Sequence, residues 1–223
     1  MPRTITRNEE SVSVPGVFEI VFTSPPPAVQ GGVTITFRTG PDVPSTGLHW
    51  HETHTEYLQM IQGCALITVG DQTAVFTNDS GVVAIPRHTV HEVMRADSVE
   101  EGKHCKDVEL VIYEWADPSD GDKDIFFRNL LGLMKDSRRT LLRTVSLGIS
   151  MVVLSGAHDN YPVFWGGPKF VGRNGQSIIV RGVTYALMKL IGAVGWVVGR
   201  QPEYDGYTPR KSGRSADIRY RQF

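Results

Sequence analysis

Four residues between positions 49 and 91 have side chains that bind divalent metal ions, and their spacing can bring them together. His49 and His51 are two residues apart, so in a β-strand both side chains point to the same face. Glu56 follows a short turn, at the start of the next candidate strand, and His91 lies in a strand that could pair nearby. Three imidazoles and one carboxylate suit a divalent first-row metal and leave coordination positions for substrate or water. The spacing therefore predicts a metal site.

Three further polar residues are candidates for catalytic roles around this site. His54 falls in the turn between two predicted ligands, and His88 follows a predicted turn at Pro86. An imidazole in either place could transfer protons, although histidines in loops are often only exposed. Arg95 shares strand parity with His91, which predicts an inward guanidinium that could recognise a carboxylate or phenolate. Outward solvation of Arg95 is the alternative.

The spacing around the first histidines resembles the first motif of the cupin superfamily. His49-x-His51, four residues, Glu56, six residues and Gly63 match that motif throughout. The second motif matches in part, because Pro86 and His91 are in register. The chain departs from it elsewhere: His88 stands where the family has glycine, and Arg95 stands where it has asparagine.

This resemblance implies a mainly β fold, a cupin jelly-roll barrel over residues 15–116, followed by an α-helical extension over residues 117–223. It also implies that His49, His51, Glu56 and His91 are the metal ligands. Fe(II) is the favoured ion, with Mn(II), Zn(II) and Ni(II) as alternatives. The run of residues after the barrel looks like that of single-domain fungal cupins, some of which serve natural-product pathways.

Residue patterns give the same division into a β region and a helical region. Alternating and β-branched runs predict strands near residues 17–23, 33–39, 48–52, 56–61, 65–69, 73–77, 82–85, 90–95 and 108–115. Short strands at this spacing are typical of a jelly roll. Residues 1–14 read as a polar arm and residues 95–106 as a charged loop. Apolar residues at helical spacing predict helices over residues 122–136, 140–154 and 177–198.

The function predicted from these observations is a metal-dependent enzyme that acts on a small organic molecule in the mouth of the barrel. An Fe(II) dioxygenase-type oxidation is favoured, because four protein ligands on an octahedral ion leave room for both a substrate oxygen and O2. A metal-dependent decarboxylase or isomerase is the second candidate. A ligand-binding cupin without turnover is the third. We find no Gly-x-Gly-x-x-Gly sequence and no P-loop, so no organic cofactor is predicted.

Composition predicts where the protein works. Cys64 and Cys105 are too few for a disulfide framework, and Cys64 reads as a small core residue. The N-terminal residues lack the apolar region of a secretory signal. Both points predict a reducing, cytoplasmic setting.

The formal net charge of −1 hides an acidic first half and a basic second half. The basic residues are dispersed and form no nucleic-acid-binding motif, so we exclude nucleic acid as a partner. The apolar helices are too interrupted for a good transmembrane segment, which needs about 20 apolar residues. We expect them to pack on the barrel or in a homodimer, with peripheral contact to an intracellular membrane as the alternative.

Overall fold

The structure is a computed structural model that describes residues 3–22, 32–40, 43–137, 141–166 and 173–209. These residues divide into two compact units, one formed by Glu10–Phe127 and the other by Met1–Glu9 with Arg128–Phe223. The predicted division at residues 15–116 and 117–223 stays a prediction. The predicted break at residues 24–27 lies outside the described residues.

The first unit is built from two antiparallel sheets, as the jelly-roll prediction required. The larger sheet has the order β1-β2-β3-β10-β5-β8. Its strands are β1 (Ser11–Val14), β2 (Phe18–Val21), β3 (Val33–Phe37), β5 (Thr55–Gln62), β8 (Val82–Ile85) and β10 (Leu110–Asp117). In the second sheet β4, β9, β6 and β7 are neighbours in that order. They span His49–Trp50, His91–Arg95, Ala65–Val69 and Gln72–Phe76, respectively.

Alternating apolar residues explain why these strands pack together. In β3 the side chains of Val33, Ile35 and Phe37 are buried, while the two threonines between them are partly exposed. Strand β10 is buried almost continuously from Leu110 to Glu114. It lies in the interior of its sheet, where its backbone pairs with β3 on one edge and with β5 on the other.

Two parts of the first unit differ from the sequence-based prediction. The segment predicted as a polar arm contains β1, which pairs with β2 in the register Val12↔Ile20. The predicted charged loop after Arg95 forms two short 3-10 helices, Ala96–Ser98 and Glu100–Cys105. Local sequence patterns did not show β1 or the two 3-10 helices, because each of them buries only one or two residues.

Cys64 is buried in the core, as predicted, but it also forms a disulfide with Cys105, with a Cα–Cα distance of 5.8 Å, which the sequence analysis did not predict. The two residues are 41 positions apart, and the sequence offered no sign that the second 3-10 helix would return to the start of β6. The disulfide packs with Ala96 in a small apolar cluster. It also removes one premise of the predicted reducing compartment.

Helices dominate the rest of the chain, as predicted. They are α1 (Asp122–Asp136), α2 (Leu141–Ala157) and α3 (Arg173–Val197), with a two-residue strand β11 (Tyr161–Pro162) between α2 and α3. In the second unit a Cβ on Gly132 would lie 2.5 Å from the ring of Tyr207, and one on Gly195 would lie 2.5 Å from Val153. Glycine at these positions therefore permits close packing of Tyr207 on α1 and of α2 on α3.

Candidate metal centre

The structure brings together the four predicted ligands within the first unit. One potential ligand atom from each of His49, His51, Glu56 and His91 lies within 4.8 Å of the others. His49 in β4 pairs directly with His91 in β9, which places their rings 4.1 Å apart between centroids. Glu56 comes from the beginning of β5 in the other sheet. Both sheets therefore contribute to the cluster.

The backbone fixes the orientation of two of the imidazole rings. Nδ1 of His49 lies 2.8 Å from the carbonyl oxygen of Gly47, and Nδ1 of His91 lies 2.9 Å from that of Thr89. A carbonyl oxygen only accepts a hydrogen bond, so each Nδ1 carries the proton. The lone pair is then on Nε2, the atom that remains for a metal ion.

The Nε2 atom of His91 supplies the test of whether a metal ion fits. It is buried and makes no hydrogen bond within the described residues, and Glu56 Oε1 lies 3.5 Å away. An unsatisfied buried nitrogen is costly, whereas coordination to a cation would use its lone pair. The donor set of three imidazoles and one carboxylate therefore fits a divalent first-row ion.

The ionisation states of His49 and Glu56 suit a cation. Burial, followed by the charges of His91 and His51, lowers the pKa of His49 well below its ordinary value and keeps this ring neutral. Burial alone would raise the pKa of Glu56, but the charge of Lys123, a hydrogen bond with His51 and the proximity of the His91 ring outweigh it and hold the pKa well below its usual range. Glu56 is therefore an anion at neutral pH. Burial would lower the pKa of His91, but its interactions with Glu56 outweigh burial and raise the pKa, so a metal ion would compete with a proton at this ring.

Lys123 is a residue of this site that the sequence analysis missed. From the first turn of α1, its Nζ donates to Glu56 Oε2 at 2.9 Å and also to Glu114 Oε1. The side chains of Lys123, Glu56 and Glu114 are 12%, 4% and 8% exposed, so these three charged groups form a nearly buried ion triad. Burial and then the charge of Glu56 raise the pKa of Glu114. In the sequence, only Glu114, a charged residue inside the apolar run that became β10, indicated that a buried partner such as Lys123 was needed.

The three predicted catalytic residues lie in different surroundings. Nδ1 of His54 lies 2.9 Å from Oγ1 of Thr53, and Nε2 of His54 lies 3.2 Å from Oδ2 of Asp120. A carboxylate against an imidazole can orient the ring and stabilise its protonated form. Asp120 was not predicted; burial would raise its pKa, but hydrogen bonds from the Asp122 backbone and His54 lower it.

His88 supports the site through its backbone. Its φ of 63° lies in the left-handed region, which explains why a glycine suits this position. The His88 amide donates to the carbonyl oxygen of His51 at 2.6 Å and so helps to hold the ligand segment. The His88 residue itself is exposed.

Arg95 is buried, as the strand parity predicted, but its guanidinium bonds to the protein. Nε and Nη2 form a bidentate ion pair with Asp97 at 2.8 and 3.0 Å. Nη1 donates to the carbonyl of Val108, and Nη2 also donates to those of Cys105 and Lys106. All three nitrogens thus have protein acceptors. This arrangement favours anchoring of the segment after β9 rather than the substrate recognition expected from the sequence.

The two antiparallel sheets and the cluster of three histidines with one glutamate agree with the jelly roll and the ligand set that the resemblance to the cupin superfamily implied. The fold is a jelly roll with a helical C-terminal part, and its candidate metal centre is of the His3Glu type. No family model matches the chain.

Comparison with curated proteins finds a relative named probable oxidoreductase virH, from Hypocrea virens. The two are 25% identical over 173 residues, which cover 76% of this chain and 70% of virH. Among solved structures, KdgF from Halomonas sp. is 18% identical, with a TM-score of 0.35, and the match covers 51% of this chain and 93% of KdgF. Oxalate decarboxylase from Lactobacillus farciminis is 19% identical, with a TM-score of 0.34 over 47% of this chain. The chain spans only 29% of that decarboxylase.

Proposed function

We propose that the protein is a metal-dependent oxidoreductase that uses Fe(II) and O2 to oxidise a small organic molecule. The observation that carries the proposal is the convergence of three imidazoles with an ionised carboxylate, because this donor set suits a redox-active first-row ion. Similarity to virH, a protein named as a probable oxidoreductase, supports an oxidative reaction. The proposed metal ligands are His49, His51, Glu56 and His91.

The side chains around the cluster prepare it to hold a cation. The Gly47 and Thr89 carbonyls direct the two Nδ1–H groups away from the centre, so that the Nε2 lone pairs of His49 and His91 face it. Lys123 restrains Glu56 and offsets part of the carboxylate charge in the buried triad. A bound ferrous ion would supply the electron-transfer chemistry that these side chains lack.

The substrate class follows from the number of protein ligands. Four ligands on an octahedral ion leave two positions, which suit an enol, a catechol or a hydroxy acid together with O2. His54 is the proposed proton carrier, because Asp120 lies against its Nε2 and Thr53 against its Nδ1. The resemblance to fungal cupins of natural-product pathways gives the proposal a setting in secondary metabolism.

A metal-dependent decarboxylase or isomerase is the second candidate. The pairing of His54 with Asp120 favours it, because proton transfer beside a Lewis acid needs no oxygen. Mn(II), Zn(II) or Ni(II) could serve that chemistry in the same ligand set. A ligand-binding protein without turnover is the third candidate. Homodimer formation and a cytoplasmic location remain predictions from the sequence.

The test uses full-length protein loaded anaerobically with Fe(II) and a panel of catechols, enols and hydroxy acids. We expect at least one of these compounds to cause O2 consumption and product formation together. Glu56→Gln should abolish both, whereas His104→Gln, which removes a histidine outside the cluster, should retain them. Turnover that continues without O2 and with Zn(II) in place of Fe(II) would replace the oxidoreductase proposal with the second candidate. Binding of panel compounds without any turnover would support the third.

A further inference from the structure

Helix α3 has one buried stripe and a wide apolar surface beside it. Five residues spaced three or four apart are buried: Val180, Thr184, Met188, Gly192 and Gly195. Gly195 approaches Val153 of α2, so this stripe faces the partner helix within the second unit. The stripe accounts for the packing of α3 within the chain.

The remaining surface of α3 is apolar and open. The exposed fractions are 72% for Ile178, 62% for Leu190, 71% for Trp196 and 76% for Val197, and Val198, which directly follows the helix, is 50% exposed. A surface helix of a globular protein normally presents polar side chains there, and contiguous exposed apolar surface marks a binding site. Contrary to the sequence-based expectation, the segment Ile178–Val197 is long and apolar enough to cross a membrane by length and composition, and only 28% of it is buried within the chain.

The charge around this surface distinguishes between a membrane and a second copy of the chain. Asp159 is the one acidic residue of the sequence between positions 137 and 202. Eight basic residues lie in the same range: Arg138, Arg139, Arg143, Lys169, Arg173, Arg181, Lys189 and Arg200. Within α3, the described charged side chains are those of Arg181 and Lys189, and both are basic. A two-fold dimer along α3 would bring these like charges towards each other, whereas anionic lipid headgroups complement them.

The position of Lys189 separates an interfacial helix from a spanning one. Lys189 is exposed and lies near the middle of Ile178–Val197. In a spanning helix its charge would reach the centre of the bilayer, which is costly. In a helix that lies along the surface, the same side chain can reach the headgroups. Trp196, near the C-terminal end, is of the type enriched at membrane interfaces.

We propose that the exposed surface of α3, defined by Ile178, Leu190, Trp196 and Val197, together with the adjoining Val198, docks the protein on an anionic membrane surface with α3 parallel to the bilayer plane. Binding combines burial of these apolar side chains with attraction between the basic residues of α3, Arg181 and Lys189, and the lipids. Each contribution can be removed separately, the first by substitution and the second by salt.

The test is flotation of the full chain with vesicles of phosphatidylcholine alone or of phosphatidylcholine with phosphatidylserine. We expect binding to the mixed vesicles, weaker binding to phosphatidylcholine, and a loss of binding at high salt. Leu190→Glu/Val197→Glu should reduce the partition coefficient about tenfold or more, because two apolar groups no longer enter the interface. Ile5→Glu, at a residue 65% exposed outside the helices, is the matched control and should bind like the unaltered chain. Circular dichroism checks that all variants are folded.

Three results would overturn the proposal. The first is no flotation with the mixed vesicles. The second is flotation that Leu190→Glu/Val197→Glu leaves unchanged. The third is a dimer of the unaltered chain in light scattering that becomes a monomer in the double variant, with no binding of either protein to vesicles. That result would identify a second copy of the chain as the occupant of the surface. None of these measurements depends on the metal centre.

Discussion

Replacing Lys123 with methionine tests the electrostatics of the candidate site. Methionine keeps a long apolar side chain but leaves Glu56 and Glu114 buried without the cation that both contact. Removing one partner from a buried ion pair costs about 3–5 kcal/mol, because the remaining charge stays in a medium of low dielectric constant. The side chains of the triad are at most 12% exposed, so this figure applies here without a large reduction for solvent screening.

Urea unfolding of the metal-free protein at neutral pH measures this cost. We expect Lys123→Met to lower the free energy of unfolding by about 3–5 kcal/mol. Adding Glu114→Gln should restore part of the loss, because one of the two unpaired carboxylates is then removed. Lys103→Met is the control, since Lys103 and Glu100 form an exposed ion pair in which a change of about 0.5 kcal/mol or less is expected. Equal, small losses in Lys123→Met and Lys103→Met would refute the buried triad.

Three further predictions concern the fold. Cys105→Ala should lower the free energy of unfolding by about 4 kcal/mol under oxidising conditions, from the 41-residue separation of Cys64 and Cys105; rapid alkylation of both thiols in the untreated native protein would contradict the disulfide. Gly63→Ala should cost at least about 2 kcal/mol in thermal unfolding, because φ is 78° and the new Cβ would lie 2.6 Å from the Glu109 carbonyl oxygen; an unchanged melting temperature would contradict this. Burial would raise the pKa of Asp136, but hydrogen bonds from Thr4 and Tyr207 outweigh it and lower the pKa below the ordinary value of 3.8. Ionised Asp136 therefore stabilises the folded protein fully above pH 3.8, and this contribution declines as the pH falls through the lower folded-state pKa. The stability difference between Asp136→Asn and the unaltered chain should therefore shrink in acid, and a difference independent of pH would contradict this.

Much of the β fold could be predicted because local patterns and tertiary structure agree there. The alternation of Val33, Ile35 and Phe37 matches their burial. The ligand positions were predictable because strand parity and one short turn fix the directions of His49 and Glu56. Direct pairing of His91 with His49 then follows from the order of strands in the second sheet.

The parts that could not be predicted depend on contacts between residues far apart in the sequence. Lys123 and Glu56 are 67 positions apart, and nothing local to α1 shows that its first turn reaches the metal cluster. Strand parity with His91 predicted the inward direction of the Arg95 side chain. The carbonyl groups that accept its hydrogen bonds belong to residues 105–108, at and after the end of a 3-10 helix that no periodic pattern in the sequence indicated. The disulfide was missed for the same reason.

The central claim is that His49, His51, Glu56 and His91 hold one divalent metal ion, and direct measurement of metal content tests it. Full-length protein is loaded anaerobically with Fe(II), freed of unbound metal and analysed by mass spectrometry of the elements. We predict about one ion per chain in the unaltered protein and in His104→Gln, and strongly reduced content in His51→Ala and Glu56→Gln, with folding checked by circular dichroism. The same metal content in all four proteins would contradict the claim.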